Sequence, residues 1–200
     1  MNTCNECEHL TLSMELMADH IKDIAQRLDK ESIKKTIEYI MNADSIFITG
    51  AGRSGLVGKA FAMRLMHLGF KSFVVGESTT PAVHKNDVVI AISGSGETRS
   101  VSDLGRIAKD IGATLITVTS NKDSTLGHIS DTTLEIHGRS KEDAGGYLER
   151  HMRGEYSHLT PLGTSFEISS LVFLDALVAE LIFITGASEA DLKSRHAKLE

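Results

Sequence analysis

Residues 45–55 read SIFITGAGRSG. The β-branched and aromatic run Ser45–Thr49 passes without a linker into Gly50-Ala51-Gly52-Arg53-Ser54-Gly55, and an amphipathic stretch with Leu56, Ala60, Met63 and Leu68 follows. A strand that feeds a glycine-rich turn and then a helix is the opening unit of an α/β sheet. Glycines let the backbone turn sharply and approach an anion, and the free N–H groups at a helix start favour its charge. The loop is therefore a candidate anion site.

The same rhythm continues. Short β-branched runs at Lys71–Val75, Asp87–Ile92, Leu115–Thr119 and Thr132–Ile136 are separated by loops and helical segments. Strands alternating with helices predict a five-stranded parallel sheet with helices on both faces, a flavodoxin/Rossmann-like three-layer α/β sandwich. Before it, Leu10 to Met41 carries apolar residues at helical spacing with a break at Leu28 to Lys30, a preface without evident chemistry. At 200 residues the chain is expected to be one domain, with a helical preface at 1–43 and the α/β core at 44–200.

A formal net charge of −6 argues against a basic field for nucleic acid or an anionic membrane, so an anion must be bound locally. The N-terminus does not read as a secretory signal, and the expected setting is the cytoplasm. The apolar stretch Leu171 to Ala187 is interrupted by Asp175 and Glu180 and reads as a buried or interface helix. Cys4 and Cys7 form a C-x-x-C, but a structural zinc needs four ligands and haem attachment needs a histidine where Glu8 stands, so two reduced thiols are expected. Arg139 to Leu159 is charged and glycine-containing, an exposed excursion or a lid over a site.

Taken alone, the first loop matches G-x-G-x-x-G, and a dinucleotide site with Glu77 on a ribose stays open. A Walker A reading fails, because Gly52 and Gly58 enclose five residues rather than four and Lys59 is followed by Ala60. A second loop, Ser93-Gly94-Ser95-Gly96-Glu97-Thr98-Arg99-Ser100, follows the third strand, and Thr119-Ser120-Asn121 follows the fourth. Hydroxyls and backbone N–H groups together can surround a compact phosphate without added positive charge. In a parallel sheet these loops share one edge, so the three together favour a phosphate monoester on a small polar ligand. Each by itself could equally be an ordinary strand-to-helix turn.

These loops, GAGRSG, SGSGET and TSN, each behind its strand, resemble the sugar isomerase (SIS) domain. Tyr147-Leu148-Glu149-Arg150, Leu159 to Glu167 (LTPLGTSFE) and Arg195 to Glu200 (RHAKLE) are similar to the 6-phospho-3-hexuloisomerase family in particular. The resemblance implies interconversion of D-arabino-hex-3-ulose 6-phosphate and fructose 6-phosphate through an enediol, with no cofactor or metal. It also implies homotetramers with sites at subunit interfaces; the surplus apolar surface of the preface and C-terminal helix independently suggests oligomers. By the same resemblance Ser54, Ser93, Ser95 and Thr98 bind the sugar phosphate, while Gly50, Gly52, Gly94 and Gly96 allow close backbone approach. Arg53 and Glu97 are further polar contacts, or else surface charges at helix starts.

The implied reaction needs a base beside a carbon acid and donors for the enediolate oxygens. The resemblance makes Glu167 that base, although Thr164-Ser165-Phe166-Glu167 also fits a capping box in which Glu167 would only bond the helix start. His196, near the chain end, could reach a neighbouring site and assist ring opening, or simply be solvated. No histidine pair shows metal-ligand spacing. Two rival readings use the same residues differently. A non-catalytic sugar-phosphate sensor would not need Glu167, and an NAD-dependent oxidoreductase would leave the serines of the second loop unexplained. Arabinose 5-phosphate remains open as an alternative substrate.

Overall fold

The computed structural model describes residues 8–137 and 164–196. Cys4 and Cys7, the Arg139–Leu159 excursion and the last four residues lie outside them. The preface forms α1 (Glu8–Gln26) and α2 (Lys30–Asn42). The break between them is chemical: Asp29 accepts the Ser32 hydroxyl at 2.7 Å and the Glu31 N–H at 3.0 Å, capping α2. An N-cap oxygen satisfies donors that have no partner within the helix. The same bonds, that from Ser32 foremost, hold the Asp29 carboxyl below its usual range.

The core then alternates as β1 (Ile46–Gly50), α3 (Arg53–Leu68), β2 (Ser72–Val74), β3 (Val88–Ile92), α4 (Arg99–Ile111), β4 (Thr114–Thr119), α5 (Thr125–Ile129) and β5 (Thr132–Glu135). Two further helices follow among the described residues, α6 (Thr164–Thr185) and α7 (Glu189–Ser194). Each strand lies within a residue or so of its expected run. All pairings are parallel, in the order β2-β1-β3-β4-β5, with Ile46 opposite Val88 and Gly50 opposite Ile92. The order reverses between β1 and β3, and the carboxyl edge at such a point is where open α/β sheets bind ligands.

Period-two alternation divides the sheet's side chains between two cores. Ile46, Ile48, Ile90 and Ile92 pack with Phe61 and Leu65 of α3 and Phe173 and Leu174 of α6. Phe47, Val89, Ala91 and Leu115 pack on the other face with Val101 and Ala108 of α4 and Leu126 of α5. The three-layer α/β architecture expected from the sequence is therefore present. α6 is long and apolar enough by composition to cross a membrane, but its inner face, Phe173, Leu174, Leu177 and Leu181, belongs to the protein core.

Backbone contact sets how close α3 comes to the sheet. A Cβ on Gly55 would stand 2.7 Å from the Gly50 carbonyl oxygen. Helix propensity alone would favour Gly55→Ala by up to about 1 kcal/mol. Forcing a methyl against backbone that cannot swing away costs about 1–3 kcal/mol, so the clash is expected to win. Gly55→Ala should lower the denaturant midpoint at unchanged m-value; an unchanged or raised midpoint would show that α3 can retreat from β1 freely.

Candidate active site

Three loops converge at the carboxyl edge. In the first, Gly52 is the N-cap of α3 with φ 57° and offers no side-chain acceptor to the helix's first amides, while Ser54 is buried behind it. Arg53 points outward, its side chain 61% exposed.

The second loop is tied internally and to the third. Buried Ser93 donates its hydroxyl to Thr98 Oγ1 at 3.1 Å, and Ser95 Oγ accepts the Glu97 N–H at 3.2 Å. Ser95 is exposed and Gly94 half-buried. Thr98 is the N-cap of α4 but makes no side-chain cap bond, so this helix start too keeps amides available. The Gly94 carbonyl accepts from Ser120 Oγ at 2.6 Å, Ser120 N at 3.0 Å and Thr119 Oγ1 at 3.2 Å. Gly96 needs to be glycine: its φ is 66°, and a Cβ would fall 1.9 Å from Ser124 Oγ.

Glu97 reaches sideways. Both carboxylate oxygens are engaged by Thr125, one by its N–H at 2.6 Å and the other by its hydroxyl at 2.7 Å. Those bonds, the N–H first, lower the Glu97 pKa from its ordinary 4.5. The geometry thus makes Glu97 a tie between the second loop and the start of α5.

Glu167 sits in the first turn of α6 with its side chain 16% exposed, and its Oε2 accepts from Arg53 Nε at 3.1 Å. Because Thr164 is already helical, it is not the N-cap that a capping box with Glu167 requires. Its neighbour Phe166 is buried, with ring atoms 3.0–3.5 Å from where a Cβ on Gly94 would stand. The first turn of α6 therefore meets the first loop through Glu167 and the second through Phe166. Beside it, α3 and α6 enclose a mainly apolar cavity of about 240 Å³ lined by Arg53, Leu56, Ala60, Glu167, Ile168 and Leu171.

His196 lies elsewhere. Its ring stacks on buried His67 at 4.6 Å, and Arg195 Nη1 donates to the His67 carbonyl at 3.2 Å. His67 closes the far end of α3, about 21 Å along the helix from Arg53 at 1.5 Å per residue. The fold does not bring His196 and Glu167 of one chain together.

Among the described residues no three His, Cys, Asp or Glu side chains converge as a metal site. Glu77, the possible ribose ligand, is engaged by Lys59 Nζ at 2.6 Å beyond β2. An open concavity of about 920 Å³ runs between α2 and edge strand β5 and is lined by mixed lysines and carboxylates. Charge along an exposed strand edge discourages pairing with other chains and is the simpler account of it. Thr119 and Ser120, whose hydroxyls hold the second loop, are visible in sequence as the TSN turn but carry no individual role there; Phe166 falls within the LTPLGTSFE segment, again with no role of its own.

Known proteins share this arrangement. A family model described as the SIS domain matches residues 39–148. An uncharacterized protein of Methanothermobacter thermautotrophicus is 47% identical, the match covering 98% of this chain and 99% of the relative. A protein of Methanocaldococcus jannaschii named 3-hexulose-6-phosphate isomerase is 38% identical over 85% of each chain. A crystal structure of a Methanococcus jannaschii protein, described as inferring a 3-hexulose-6-phosphate isomerase function, superposes with a TM-score of 0.79 at 35% identity, covering 94% of this chain and 99% of that one.

The Glu97 tie predicts a pH dependence. A depressed carboxylate pKa contributes stability that is full above the ordinary value of 4.5 and is lost as pH falls through the lower folded value. Glu97→Gln should therefore lower the denaturant midpoint near neutral pH, with the two proteins converging as the pH falls below 4.5 and the carboxylate takes up its proton. A gap that persists in acid would mean that the ionised carboxylate is not the stabilising species.

Proposed function

The chain belongs to the SIS-domain family and, within it, to the 3-hexulose-6-phosphate isomerases, and from this we infer that it interconverts D-arabino-hex-3-ulose 6-phosphate and fructose 6-phosphate. The observation that supports the mechanism is the Arg53–Glu167 pair, a largely enclosed carboxylate bonded to the first glycine-rich loop.

In this reading the phosphate rests on Ser93, Ser95 and Thr98, the backbone of Gly94 and Gly96, and the start of α4, with Gly52 and Ser54 of the first loop closing over the sugar. Glu97 serves by holding that loop to α5. The carboxylate of Glu167 takes the proton from C3 of fructose 6-phosphate. The C–H electron pair becomes the C2=C3 bond of an enediol, and the C2 carbonyl oxygen takes up a proton. Return of the carbon-bound proton to C2, with the carbonyl re-forming at C3, completes the isomerisation without any net oxidation. In this reading Arg53 orients the carboxylate and its guanidinium donates to the oxygen that gains charge. A proton shift of this kind needs neither a hydride carrier nor a metal.

The outer faces of α3 and α6 suggest assembly. Leu56, Met63, Leu171, Val172 and Ile184 are exposed and Phe183 is 83% exposed, more apolar surface than a monomer usually leaves in water. We infer a homotetramer. Because His196 is held against His67, any part it takes in ring opening falls on a neighbouring copy's site.

Two experiments test this reading. EDTA-treated protein in D₂O should incorporate deuterium into fructose 6-phosphate and form the 3-ketose, followed by NMR, and Glu167→Gln should slow both by roughly 10²–10⁴-fold. Binding without deuterium uptake would favour a sensor, and uptake only with arabinose 5-phosphate would change the substrate. Light scattering should give a multiple of the 21.7 kDa chain, and Phe183→Asp should shift it towards the monomer; a monomeric parent protein would overturn the assembly.

A further inference from the structure

We propose that Phe166 is a positioning residue for the isomerisation, its ring transmitting the placement of the phosphate-binding loop to the carboxylate of Glu167. The inference rests on the reading of Glu167 as the base and adds what sets that base at a working distance from the substrate.

Phe166 is only 4% exposed, and its ring faces inward from the first turn of α6. Consecutive helical residues point about 100° apart, so the residue after an inward-facing one projects sideways, here to Arg53 at the start of α3. The ring meets Gly94 almost directly: Cδ1, Cγ and Cε1 lie 3.0, 3.3 and 3.5 Å from the Cβ position that glycine leaves empty. On its other side Gly94 cannot yield, because three donors from Thr119 and Ser120 hold its carbonyl. The preceding Ser93 is itself buried and bonded through its N–H to the Val118 carbonyl at 3.0 Å.

Two of the contacts that locate the first turn of α6 differ in stiffness. The ion pair to Arg53 involves a side chain 61% exposed, and pairs in contact with water hold position weakly. A close-packed ring against a clamped backbone has no such freedom, since interiors transmit displacement rather than absorb it. The phosphate loop and the base are therefore referenced to each other through one ring and one peptide step.

Phe166→Leu should leave the phosphate loop intact but free the first turn of α6. The expected result is a kcat lowered roughly ten- to a hundredfold with KM changed by no more than about twofold. Gly94→Ala should also lower kcat by driving the ring back, and adding Phe166→Leu should recover part of that loss, a non-additive cycle. An unchanged kcat, a change in KM alone, or strictly additive effects would overturn the proposal; if Phe166→Leu does not fold, Phe166→Met takes its place. A readout without turnover separates this idea from the isomerase reading. In the parent protein, inorganic phosphate should shift the Phe166 ring and Glu167 carboxyl resonances together, and in Phe166→Leu the Glu167 response should be lost. A Glu167 response that survives the substitution would refute the coupling, whether or not the chain turns over a sugar phosphate.

Discussion

The contact on which the rest of this structure depends is between two pieces of backbone, the end of β1 at Gly50 and the first turn of α3 at Gly55. Side chains at either position would hold the helix off the sheet. Without them the start of α3, with its uncapped amides, comes down onto the edge between β1 and β3, where the strand order reverses. Arg53 is then carried to the place where it meets a carboxylate 114 positions later in the chain. The position of the first glycine-rich loop, the Arg53–Glu167 pair and the packing of a whole face of the sheet follow from one close approach.

In a chain with net charge −6, the proposed anion site relies on local donors. Hydroxyls and amides supply the donors, and much of the polar chemistry is spent on holding the loops to one another. Ser120 and Thr119 fix Gly94, Ser93 meets Thr98, and Glu97 binds Thr125. Donors already aimed before the ligand arrives lose little in reorganising around it, which is how neutral groups substitute for a basic patch.

α6 joins the site to the rest of the molecule. Its inner face completes the larger core, its first turn carries Glu167, and its outer face leaves Phe183 and Ile184 in solvent. Apolar residues almost all round a helix mean that more than one surface wants covering. The proposed base and the proposed assembly surface thus lie on a single helix, and the ring of Phe166 packs that helix against Gly94 of the second loop.

The amino-acid sequence by itself determined the strands, the order of loops and helices, and the glycine- and hydroxyl-rich character of GAGRSG and SGSGET. Those properties depend on alternation, on glycine and on short-range hydrogen bonding, all of which act between residues close together in the chain. The break at Asp29 was legible for the same reason. Tertiary structure alone decided the rest. Glu167 could as well have capped its own helix, and only the packing of α6 against α3 turned it to Arg53. Glu97, a plausible ligand in its loop, was drawn to Thr125 of the next one, and His196 was stacked on His67 at the far end of α3. Phe166 was one apolar residue among many until Gly94 was found beneath it. Spacing along a chain encodes which residues share a turn or a face, whereas contacts across a hundred residues are set by which surfaces exclude water together.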